Sequence, residues 1–146
     1  MSEGLAGADK TMGDTLKTVK VVAAVITDGD KILATQRGYG DFKDGWEFPG
    51  GKVEECETSS QALIREIKEE LDADIIVGDL LTTVEYDYPS FHLSMDCFSA
   101  RLVPGSSIVL LEHEAVRWLT ADELDSVDWL PADLGVVELI REQILS

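Results

Sequence analysis

With 146 residues, 45% of them hydrophobic and 28% charged, the chain has the size of one domain and the composition of a soluble globular protein, not of a disordered or fibrous one. Its 29 acidic residues against 12 basic ones give a formal charge of −17, which repels polyanions and argues against binding a nucleic-acid polymer. Two cysteines, Cys56 and Cys97, do not make a disulfide framework or a zinc site, and neither a secretory opening nor a run of about 18 apolar residues is present, so no membrane is expected and the cytoplasm is the simplest location.

Residues 1–17 contain Gly4, Gly7 and Gly13, show no sustained period, and read as a flexible leader; the folded domain is expected over residues 18–146. From Thr18 to Ile26 the run is β-branched and almost wholly apolar, which predicts a strand buried on both faces. Asp28-Gly29 supplies a turn, and residues 31–36 return as a second strand. Residues 37–46, with Gly38, Gly40, Asp41 and Gly45, predict a surface loop that leads to Phe48-Pro49-Gly50-Gly51.

Thr58 and Gln61 form a capping box that starts a helix near Ser59. Leu63, Ile67 and Leu71 recur at helical spacing, and the helix is expected to end near Asp72. Residues 75–88 and 91–102 flank Pro89-Ser90 as a strand pair, the second alternating Phe91, Leu93, Met95 and Cys97 with polar residues. A short strand over 115–118, a second capping box at Thr120 and Glu123, and a last helix over 132–145 complete a mixed α/β chain with no internal repeat.

At about 100° per residue, Leu63, Ile64, Ile67 and Leu71 fall in one arc of the first helix, and Glu66, Glu69 and Glu70 in another beside it. Carboxylates three and four apart repel, so a cation between them is one reading. A solvated acidic face with Arg65 and Lys68 nearby is the plain alternative. The surroundings decide between them. Gly51, five residues, Glu57, seven residues, Arg65-Glu66, then Ile67, Lys68 and Glu69-Glu70 reproduce the spacing of the Nudix box. The box's glycine after the glutamate pair is replaced by Asp72, which tolerates a left-handed conformation better than most residues, so a small loss of stability and an intact metal site are expected.

On these residues the chain resembles the Nudix family from about Val19 to Ile144, and Trp46-Glu47-Phe48-Pro49-Gly50-Gly51-Lys52-Val53-Glu54 is similar to the segment found in MutT-like nucleoside triphosphate pyrophosphohydrolases. The resemblance implies an α/β/α sandwich around a mixed β-sheet. It further implies Mg2+, with Mn2+ able to substitute, held by Glu66, Glu69, Glu70 and the Gly50 carbonyl, with Glu112 as one more metal-bound or base-like group. Glu66, Glu69, Arg65 and Glu112 would be catalytic, Arg65 orienting a carboxylate such as Glu57. The reaction would be hydrolysis of a nucleoside triphosphate to the monophosphate and pyrophosphate. The donor types suit it, because a hard cation takes carboxylate and carbonyl oxygens and needs no imidazole or thiol.

For the substrate, the resemblance places Arg37 and Lys52 on the phosphate chain and Asp133 at a base-reading position, while Tyr88 and Phe91 could stack on the base. Plain solubilising cations, a helix cap and ordinary core aromatics are the competing readings of the same residues. An ionised aspartate accepts from the amine of cytosine, and a protonated one also donates. The Pro-Ala-Asp sequence is similar to the CTP or 5-methyl-dCTP branch, with 8-oxo-dGTP as the alternative. Hydrolysis of ADP-ribose or another nucleoside-diphosphate-linked compound, and a non-catalytic nucleotide-sensing module, are the remaining alternatives. The expected partner is a small nucleotide, taken by a monomer or homodimer.

Overall fold

Residues 18–28 set the plan of the molecule. The computed structural model describes residues 17–38, 40, 42–109 and 113–144; apart from Lys17, the expected leader lies outside the described residues, as does Glu112. In β1 (Thr18–Asp28) the residues Val22 to Ile26 are all buried. Successive side chains of a strand point to opposite faces. Ala23 and Val25 therefore join a core with Val136, Val137 and Ile140, while Val22, Ala24 and Ile26 join a second core with Leu63, Ile67 and Leu71. An apolar run without alternation is what a strand in the middle layer requires. Each fully buried Val or Ile adds about 1.5–3 kcal/mol.

The sheet has the order β3-β2-β1-β6-β5, with β4 paired to β1 and β7 to β2. These strands are β2 (Lys31–Arg37), β3 (Trp46–Glu47), β4 (Gly50–Lys52), β5 (Ile75–Tyr88), β6 (Phe91–Leu102) and β7 (His113–Leu119). The β1–β6 pair is parallel and the other pairs are antiparallel, so the sheet is mixed. Helix α1 (Ser59–Leu71) covers one face and α2 (Leu134–Gln143) the other, giving the expected α/β/α sandwich. Among the described residues no helix is long and apolar enough to cross a membrane.

Helix α1 begins at the predicted box. The Gln61 backbone N–H donates to Thr58 Oγ1 at 3.1 Å, and the Thr58 N–H donates to Gln61 Oε1 at 2.9 Å. It ends at Asp72, whose φ of 48° is left-handed, with the Asp72 N–H donating to the Lys68 carbonyl. The buried arc differs from the expected one. Ala62 is fully buried and Ile64 is 46% exposed, so the helix is rolled toward Ala62. That roll turns Glu66 and Glu70 partly inward and leaves Glu69 on the outer side.

Other boundaries shift for identifiable reasons. β3 and β4 lie where a loop and a glycine run were expected, and they exist through pairing with β2 and β1. The last helix starts at Leu134, later than residue 132, because Pro131 opens a short 3-10 turn over Pro131–Asp133. The second capping box is formed, and it opens a 3-10 helix over Ala121–Ser126. Strand β7 is longer at both ends than the expected 115–118.

Candidate active site

Two glycines make the room in which the site is built. Strand β4 lies against β1 with Gly51 opposite Val22 and Gly50 opposite Ala23. A Cβ on Gly50 would meet the Val22 carbonyl oxygen at 1.9 Å. A Cβ on Gly51 would meet the carboxylate of Glu66 at 2.3 Å, so the space a side chain would fill is taken by a box glutamate.

Arg65 sews the preceding loop to the helix. Its Nε donates to Glu57 Oε2 at 2.6 Å and its Nη2 to Glu57 Oε1 at 2.9 Å, a two-bond fork that fixes both side chains. The same Nη2 donates to the Lys52 carbonyl at 3.0 Å, and Nη1 donates to Glu66 Oε2 at 2.9 Å and Glu69 Oε1 at 3.4 Å. The hydrogen bonds from Arg65, and then the N–H of Glu54, hold the Glu57 carboxyl down at about 2, while Arg65 itself is raised. Both groups stay charged at every ordinary pH.

The three box glutamates therefore have different surroundings. The side chain of Glu66 is 15% exposed and that of Glu69 56% exposed. Glu70 is half-buried, with its Oε1 atom sealed from solvent. Among the described residues no three carboxylate, imidazole or thiol groups meet at metal-ligand spacing. The donor types nevertheless suit a hard divalent cation, with three carboxylates on α1 and no side chain on Gly51 to block the approach to Glu66.

A cleft of about 530 Å³ brings most of the expected residues together. Gly50, Lys52 and Glu70 line one wall, contributed by β4 and α1; Arg37, Tyr88, Phe91 and Asp133 line others. Arg37 is tied to Glu47 by Nε to Oε2 at 3.2 Å and Nη2 to Oε1 at 2.7 Å. Asp133 and Tyr88 are among its other electrostatic neighbours, so the guanidinium stands with the group expected to meet a base. Lys52 lines the cleft and is exposed.

Asp133 is only 4% exposed. Its Oδ1 accepts the Phe48 N–H at 3.5 Å. Burial first, and then the nearby Glu47 carboxylate, push its proton affinity up to about 8, against a usual 3.8. At neutral pH this side chain is a neutral acid that can both donate and accept. Two lining residues, Glu47 and Phe42, were not singled out from the sequence. Glu47 sits in a two-residue strand too short to show a period, and Phe42 sits in a loop.

The NUDIX domain model matches residues 17–139 of the chain. The CTP pyrophosphohydrolase of Escherichia coli (strain K12) is 33% identical over 124 residues, covering 84% of this chain and 91% of the relative. An 8-oxo-dGTP diphosphatase of Proteus vulgaris is 40% identical over 84 residues, 56% of this chain and 75% of the relative. The solution structure of the DNA mismatch repair protein MutT, family Nudix hydrolase, from methicillin-resistant Staphylococcus aureus 252 superposes with a TM-score of 0.71 at 39% identity, over 88% of this chain and 99% of that one. Sandwich, box and relatives agree: the chain belongs to the Nudix family, whose hydrolases generally need a divalent metal.

Proposed function

We propose that the protein hydrolyses a nucleoside triphosphate to the monophosphate and pyrophosphate, with CTP or 5-methyl-dCTP as its first candidate substrate. The observation that carries the reading is a cleft that joins Glu70 and Gly50 of the box region to the buried Asp133. Glu66, Glu69, Glu70 and the Gly50 carbonyl would hold Mg2+, or Mn2+ in its place. Such an ion, when bound, supplies positive charge to the phosphate chain and makes a water more acidic.

The chain's own residues prepare this chemistry. Arg65 holds Glu57 and Glu66 in place, so the carboxylate nearest Gly51 does not swing into solvent. Lys52 adds a positive charge to the cleft wall where a phosphate chain would run. Asp133 receives the Phe48 N–H on Oδ1, leaving its other oxygen and its proton for the base. A neutral acid there can donate to a ring acceptor and accept from an exocyclic amine, as cytosine offers on adjacent atoms.

The similarity to a relative named for CTP supports the pyrimidine, and the relative named for 8-oxo-dGTP makes the oxidised purine the second reading. A panel of ordinary, methylated and oxidised triphosphates, scored for monophosphate and pyrophosphate with Mg2+, Mn2+ and chelator, tests the proposal. We expect turnover that chelator abolishes, and loss of most activity in folded Glu69→Gln and Glu70→Gln variants. No turnover of any triphosphate with either ion would overturn it.

A further inference from the structure

We propose that Phe42 is a nucleobase-stacking residue, forming with Tyr88 and Phe91 an aromatic wall that binds the base whatever its identity, while the choice of base is made elsewhere. The inference rests on the reading of the cleft as a nucleotide site. Phe42, Tyr88 and Phe91 all line that cleft. The Phe42 and Tyr88 rings have centroids 5.4 Å apart and are tilted by 54°, and the Tyr88 and Phe91 rings stack at 5.1 Å with an angle of 25°. Phe42 belongs to neither hydrophobic core and is 46% exposed. One side of its ring meets Tyr88, and much of the remainder is open.

Neither packing nor loop geometry calls for a phenylalanine at this position. Its φ of 63° is left-handed, a region that glycine and asparagine accept and bulky residues rarely enter. The turn is nevertheless held firmly. The Gly45 N–H donates to the Phe42 carbonyl at 2.9 Å, the Asp44 N–H to the Arg37 carbonyl at 2.8 Å, and the Arg37 N–H to the Gly45 carbonyl at 2.9 Å. The ring is thus presented to the cleft from a fixed turn, at a backbone conformation that disfavours it. An exposed aromatic face beside a nucleotide cleft stacks on any base, because every base has a π-face. That divides the work, with Phe42 setting affinity and Asp133 setting preference.

The test compares Phe42→Ala, Phe42→Leu and Phe42→Trp with the wild type. Steady-state kinetics are run on two triphosphates with different bases, together with thermal melting and calorimetric binding of the monophosphates. Phe42→Ala is expected to raise KM and monophosphate Kd about tenfold for both bases, with kcat changed less than about twofold and melting unchanged. Phe42→Leu keeps apolar bulk without a ring and should not rescue; Phe42→Trp should. Unchanged KM in Phe42→Ala, full rescue by leucine, or an effect confined to one base would each overturn the proposal. Those results leave wild-type hydrolysis standing, whereas a wild type that neither binds nor cleaves any nucleotide would sink the underlying reading instead.

Discussion

Replacing Asp133 by asparagine removes a proton-binding group from the interior while keeping its shape and its acceptor for the Phe48 N–H. In the folded state the carboxyl holds its proton up to about pH 8, against a usual value of 3.8. Because the folded value is raised, the stability it contributes is complete below the unfolded value and is lost as pH rises toward the folded one, levelling off above it. Each unit of the interval is worth about 1.4 kcal/mol, so about 4 kcal/mol has been forfeited by pH 7 and about 2 kcal/mol is lost between pH 6 and pH 8. Asparagine has no such loss. Urea unfolding of wild type and Asp133→Asn at matched ionic strength should therefore show the variant gaining on the wild type by about 2 kcal/mol from pH 6 to pH 8, then running parallel above pH 9. The Arg37–Glu47 pair is present in both proteins, and Tyr88 and Cys97, both raised, titrate above the window. A difference that stays constant across this range would refute the claim that Asp133 is protonated in the fold.

The two glycines of β4 should fail differently. Gly51→Ala places its methyl on the Glu66 carboxylate and pushes it off its Arg65 contact, so activity should fall by an order of magnitude or more with a smaller loss of Tm than in Gly50→Ala, which drives into the Val22 backbone and should cost about 3 kcal/mol in denaturant unfolding. Equal Tm losses in the two would contradict the assignment of Gly51 to the site. Asp72→Gly relieves a left-handed aspartate and gives up only an exposed contact with Lys68, so it should stabilise the protein by about 0.5–1 kcal/mol with unchanged kcat. A destabilised Asp72→Gly protein would show that the side chain contributes more than its backbone costs.

Local signals were readable from the residues, and signals created by pairing were not. The capping box at Thr58 and Gln61 and the period of Leu63, Ile67 and Leu71 depend only on near neighbours, so α1 is found within its true bounds. The unbroken apolar run of β1 announces a strand with two covered faces, and the hairpin β5–β6 follows from Pro89-Ser90 between two strand-like runs. β3 and β4 are two and three residues long, carry no period, and depend on neighbours distant in sequence. The helical wheel ranks Ile64 as core, yet the tilt that seats Ala62 against the sheet is set by tertiary packing and leaves Ile64 in solvent. In the site, the spacing from Gly51 to Glu70 pointed to the family. The Arg37–Glu47 fork and the Phe42–Tyr88 contact depend on how loop 38–45 is folded, which no local pattern records.

Because both faces of β1 are apolar, hydrophobicity alone does not fix how this strand aligns with its neighbours; a slip of one residue would still bury valine and alanine on each side. What rejects the slip is shape. Gly50 and Gly51 are the residues that let β4 lie against Ala23 and Val22, and a shift of one residue would bring Pro49 to the place of Gly50 or Lys52 to that of Gly51, where a side chain has no space. The cavity opened for Glu66 thus also serves as an alignment key for the central strand. A chain that reaches its native register has, by the same step, cleared the ground on which its glutamates stand.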